Sequence, residues 1–96
     1  MTKAQIKKLL AKNGIVSKVS ENETIKIEIL SKDEVEVYVA DLEGYVDYDA
    51  NEKMMEKVSK LLGWGGFKTG YGSWILQEGY LVNDMDYCDV LNPIHY

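Results

Sequence analysis

Cys88 and His95 are the single thiol and the single imidazole among 96 residues. To work as nucleophile and base they would have to lie within hydrogen-bond reach of each other, with a third group orienting the ring. Nothing in their spacing imposes that; a small hydrophobic cysteine and a surface histidine beside the terminus are what these residue types ordinarily become. Asp84, Asp86 and Asp89 begin like a calcium loop, but counted from Asp84 the sixth position is Asp89 where glycine is needed. The twelfth is His95 where a bidentate glutamate is needed, so an EF-hand is excluded. A phosphate loop built on Lys68-Thr69 fails as well, because Phe67 and Leu62 occupy its two glycine positions. The dinucleotide pattern would need further glycines at Lys68 or at Ile75. These residues point to no catalytic, cofactor-binding or metal-binding set, and the expectation is a protein that is not an enzyme and uses no cofactor.

What the residue types do offer is contact chemistry. Residues 21–52 carry eleven acids and two lysines, between a stretch of five lysines with no acid (1–20) and a second lysine-rich stretch (53–68). A negative face made of Glu34, Glu36, Asp41, Glu43, Asp47 and Asp49 would steer the protein toward a groove lined by lysine and arginine. Tyr38, Tyr45, Tyr48, Trp64, Tyr71 and Trp74 would add anchors that salt does not screen. Six of the eight glycines fall within residues 63–79, interleaved with Trp64, Phe67, Tyr71 and Trp74. That combination predicts a tightly turned loop displaying rings, although acid runs are ordinarily solvation and glycine-aromatic turns ordinarily packing. All eleven cations are lysine. Without arginine's forked donor, direct nucleic-acid binding is disfavoured.

The elements that must position these groups follow from periodicity. Thr2 and Gln5 form a capping box ahead of Ile6, Leu9 and Leu10, so a helix is expected from about residue 3 to about 13, stopped by Asn13-Gly14. The period then changes to two. Ile25, Ile27 and Ile29 alternate with polar residues, as do Val35, Val37 and Val39, which predicts two strands after a weaker one over 15–20. Asp49 and Glu52 suggest a second capping box for a helix whose Met54, Met55, Val58, Leu61 and Leu62 share a stripe and which Gly63 ends. Residues 73–77 have strand character, Gly79 marks a turn before 80–82, and the acidic, aromatic tail 83–96 has no readable pattern.

The expected fold is α+β: an α-β-β-β-α body over residues 3–62 with an antiparallel meander, both helices on one face, and a β-rich C-terminal extension over 63–96. One domain is expected for the whole 1–96 span. A single cysteine, no apolar run longer than four residues and no targeting signal lead to the expectation of a cytoplasmic protein with no membrane segment.

In layout and charge the 3–62 body resembles small acidic phage-encoded inhibitors of CRISPR nucleases and of other host defences. That resemblance implies a noncatalytic, anti-defence inhibitor whose carboxylates mimic nucleic acid in the basic groove of a host protein. The segment 62–80 departs from the comparison. The same α-β-β-β-α order also resembles the double-stranded-RNA-binding domain, with Lys53, Lys57 and Lys60 echoing its basic helix and Glu52 and Glu56 diluting it. A net charge of −5 opposes that use. A self-assembling subunit joined through exposed tyrosines is the principal alternative to inhibition.

Overall fold

Thr2 caps the first helix, α1 (Lys3–Lys12), through the expected reciprocal box: its hydroxyl accepts from the Gln5 N–H, and the Gln5 side chain accepts from the Thr2 N–H. This is a computed structural model, and it describes residues 1–81 and 85–86. Ile6 and Leu10, one turn apart on α1, are fully buried. The chain then enters a short edge strand, β1 (Lys18–Val19), followed by β2 (Thr24–Ser31) and β3 (Glu34–Ala40).

The register aligns Ile25 with Val39, Ile27 with Val37 and Ile29 with Val35, so one face of the β2–β3 pair is wholly aliphatic. The opposite face carries Lys26, Glu28, Glu34, Glu36 and Tyr38, as alternation requires. A bridge between Ala40 and Val46 leads into the second helix, α2 (Tyr48–Leu62). Its N-cap is Asp47, whose carboxylate accepts from the Ala50 N–H at 3.1 Å, and not Asp49, which lies in the first turn. The helix therefore begins two residues before the Asp49-Glu52 pattern suggests, because Asp47 is the residue with extended backbone and a free reach to the third N–H. Gly63 closes it, as expected.

The glycine-aromatic stretch is a hairpin and not a displayed loop. β4 (Gly65–Lys68) and β5 (Trp74–Gln77) pair antiparallel, and β5 inserts between β3 and β4. With β6 (Met85–Asp86) parallel to β4, the sheet order is β1-β2-β3-β5-β4-β6. Thus the meander expected from the sequence continues into a larger sheet. Gly66 makes this possible: a Cβ there would lie 1.9 Å from the Ile75 carbonyl oxygen, so any side chain would push β4 off its neighbour.

Trp74 stands opposite Val37 and Leu76 opposite Val35, which turns both toward the aliphatic face. They complete a cluster with Ile6 and Leu10 of α1 and Met55 and Val58 of α2. Of the expected α2 stripe, Met55 and Val58 are buried, while Met54, Leu61 and Leu62 pack at the margin. Asp84, Cys88, Asp89 and His95, weighed above for a cation loop and a nucleophile–base pair, and the acidic tail apart from the backbone of β6, lie outside the described residues. Among the described residues no helix is long and apolar enough to cross a membrane.

Candidate functional site

The polar residues that follow β3 are organised by one carboxylate. Asp41 Oδ1 accepts from the Glu43 N–H at 2.8 Å and the Tyr45 N–H at 3.0 Å, and the Asp41 N–H donates to the Tyr45 carbonyl at 2.8 Å. The Tyr38 hydroxyl reaches from the polar sheet face to the Gly44 carbonyl at 3.0 Å. This fixes a closed 41–45 loop that presents Glu43 and Tyr45 outward, with Tyr45 70% exposed. Asp47 then caps α2, and the first turn of the helix presents Tyr48 and Asp49.

The β4–β5 turn, residues 69–73, meets this segment from the other side. Gly72 adopts φ +90°, and an added Cβ would fall 2.6 Å from Val46 Cγ2, so the turn is pressed against the loop. Asn51, buried in α2, locks both: its Oδ1 accepts from the Val39 N–H at 3.1 Å and its Nδ2 donates to the Gly72 carbonyl at 2.6 Å. Within the turn the Tyr71 N–H donates to Thr69 Oγ1, which is hydrogen-bonded to Ser73 Oγ at 2.8 Å. Ser73 Oγ in turn donates to Glu36 Oε2 at 2.9 Å.

The result is a polar cleft of about 300 Å³ between the loop and the turn, lined by Val46, Tyr48, Lys68, Thr69, Tyr71 and the turn glycines. Lys68 places its ammonium 4.5 Å from the centre of the Tyr48 ring, a cation–π contact. Tyr48 and Tyr71 remain 64% and 80% exposed. No family model matches this chain, and neither curated proteins nor solved structures give a match. Function must therefore be argued from the geometry alone.

The twelve residues singled out from the sequence divide into three groups. Asp41, Glu43, Tyr45, Asp47, Tyr48, Asp49 and Tyr71 are brought together at this end of the sheet, with Tyr38 buttressing the loop. Glu34 and Glu36 lie on the polar sheet face, but both carboxylates are held by neighbours. Glu36 pairs with Lys26 at 3.5 Å and accepts from Ser73, while Glu34 accepts from the Gln77 side chain. Lys26 also sits 3.8 Å from Glu28. The negative face expected of Glu34, Glu36 and the 41–49 acids is therefore offset along the sheet, where Lys26 on the neighbouring strand stands opposite Tyr38 and reaches Glu36 and Glu28.

Trp64 and Trp74 form the third group and correct the expectation of exposed anchors. They are 6% and 1% exposed and belong to the core; alternation along β5 sends Trp74 and Leu76 to the aliphatic face and the likewise buried Ile75 to the opposite face. Sequence reasoning misses Lys68, Thr69, Ser73 and Asn51. The first sits in a failed phosphate-loop pattern, the next two resemble ordinary turn hydroxyls, and Asn51 resembles a solvated helix residue until the turn folds over it. Among the described residues no cluster of three or more His, Cys, Asp or Glu side chains could hold a metal ion.

Proposed function

We propose that this chain is a noncatalytic protein-binding module whose 41–49 loop and 69–72 turn receive cationic side chains of a partner protein. The observation that carries the reading is the Lys68 ammonium over the Tyr48 ring, an intramolecular cation seated in a cleft that exposed Tyr71 also lines. A π face attracts an ammonium or guanidinium, and the carboxylates of Glu43 and Asp49 in the same 41–49 segment raise the local concentration of cations. Neither carboxylate makes an ion pair among the described residues, so both remain available to a partner.

The partner is a protein with a lysine- or arginine-rich surface, and engagement by this end blocks that surface. Inhibition of a nucleic-acid-handling host defence protein is the biological form of this proposal, following the likeness in layout and charge to anti-defence inhibitors. Contact then runs through tyrosines and loop carboxylates, and not through a mimicked phosphate row along β3. Tagged wild-type protein and a Tyr48→Ala/Tyr71→Ala variant, used in parallel to capture partners from a host lysate, test it. A basic protein retained by the wild type at low salt and lost with the variant supports the reading. Retention by both equally, or only of partners indifferent to salt, overturns it.

A further inference from the structure

A concavity of about 570 Å³ lies between α1 and the β1–β2 edge, away from the tyrosine cleft. That falls within the roughly 300–1,000 Å³ of small-molecule sites. Ala4 and Ala11 of α1 form one wall, and Ile27 and Ile29 of β2 form the other. The segment leading to β1 closes the strand edge, with Val16 46% exposed at the groove. Ser17 takes the place of a pairing strand there: its hydroxyl donates to the Ile27 carbonyl at 3.0 Å and accepts from the Ile27 N–H at 2.8 Å. The edge is thus satisfied at Ile27, and the aliphatic surface of Ile27, Ile29 and Val16 lines the groove beside it. This favours an alkyl chain over an added peptide strand.

The charge around the groove is equally one-sided. Lys3 and Lys7 line it from positions four apart, which stacks them on one side of α1. The first turn of α1 contains no acid, although acids are favoured there by the helix dipole, and residues 1–20 contain none at all. Glu28 is the single carboxylate in the lining and already lies 3.8 Å from Lys26. Two ammonium groups on one side of α1, with the Glu28 carboxylate beside Lys26, suit an anionic head group.

We infer that the α1–β2 groove is a binding site for a fatty carboxylate, with the alkyl chain along Ile27, Ile29 and Val16 and the head group between Lys3 and Lys7. The chemistry is noncovalent: apolar area leaves water along the chain, and two partly solvated ion pairs orient it. This site is independent of the tyrosine cleft, so failure of either proposal leaves the other standing.

The full chain labelled with ¹⁵N is titrated with laurate below its micellar concentration, and in parallel with acetate and with dodecyl maltoside. Laurate is expected to bind saturably at one site per chain, shifting amides around residues 16, 27 and 29. Acetate should give no such shifts, and dodecyl maltoside should bind more weakly than laurate. The Lys3→Gln/Lys7→Gln variant, altered only at exposed positions, should bind laurate about fivefold more weakly. Ala11→Trp, which fills the groove from an exposed helical position, should abolish binding while circular dichroism shows the fold retained. Unsaturable laurate shifts spread over the molecule, equal binding of dodecyl maltoside, or unchanged affinity in either variant would overturn the assignment.

Discussion

Asn51→Ala removes two hydrogen bonds that hold the tyrosine cleft together, and its cost can be worked from the geometry. The side chain is 1% exposed and is the shared partner of the Val39 N–H at 3.1 Å and the Gly72 carbonyl at 2.6 Å. Truncation leaves one backbone donor and one acceptor without a partner in a place water reaches poorly, each worth about 1–3 kcal/mol. Some relief comes if the 69–73 turn lifts away and admits solvent, so the lower half of the combined range is expected, about 2–4 kcal/mol. For a domain of this size that lowers the melting temperature by roughly 10–20 °C. Urea unfolding followed by circular dichroism measures it, with the midpoint falling and the slope unchanged. Amide exchange should accelerate at Val39 more than at Val35, because the latter does not depend on Asn51. Asn51→Asp keeps the acceptor for Val39 but turns an oxygen toward the Gly72 carbonyl, and should be at least as damaging as alanine. A loss below about 1 kcal/mol for both variants would refute the claim that Asn51 is the tie between α2, β3 and the turn.

Trp74→Ala should destabilise by about 3–5 kcal/mol through loss of core packing, and any binding measured on its folded fraction should match the wild type. Gly66→Ala should cost more than about 2 kcal/mol or prevent folding, read from expression and urea midpoint, because its Cβ would collide with the Ile75 backbone. Asp47→Ala should cost about 1 kcal/mol as a lost helix cap, measured in the same unfolding assay. Reversing Glu43 and Asp49 to lysine should slow association with a cationic peptide in stopped flow at low salt. Reversing Glu34 and Glu36 should be felt mainly as lower stability, since their carboxylates are held by Gln77, Ser73 and Lys26.

The strands and helices of the first half follow directly from pattern. Thr2-Gln5 caps α1, the isoleucine and valine alternation sets the β2–β3 register, and Gly63 ends α2, because each is a local signal with a local cause. The α+β class follows from these alone. What escapes sequence reasoning is the placement of β5 between β3 and β4. That depends on Gly66 yielding its side-chain space to a partner residue ten positions away in the register of the hairpin, a contact with no local mark. The same limit governs the site. The tyrosines and acids of 41–49 are continuous in sequence and can be picked out by type, as can Tyr71. Whether a glutamate is available to a partner depends on which ammonium stands across the strand, and Lys26 decides that for Glu36. Trp74 shows the converse: interleaved with glycine it suggests display, yet a period of two through Trp74 and Leu76 already carries it inward.

The cation-receiving cleft is tested most directly by titrating labelled wild-type protein and a Lys68→Ala variant with an octa-arginine peptide at low salt. If Lys68 occupies the seat that a partner's cation takes, its removal should tighten peptide binding by about two- to fivefold, against the loss of a competing exposed cation–π contact. Amide shifts should centre on Tyr45, Tyr48 and Tyr71 in both proteins. Weaker or unchanged binding by Lys68→Ala, or shifts confined to the sheet face around Glu34 and Glu36, would contradict the account.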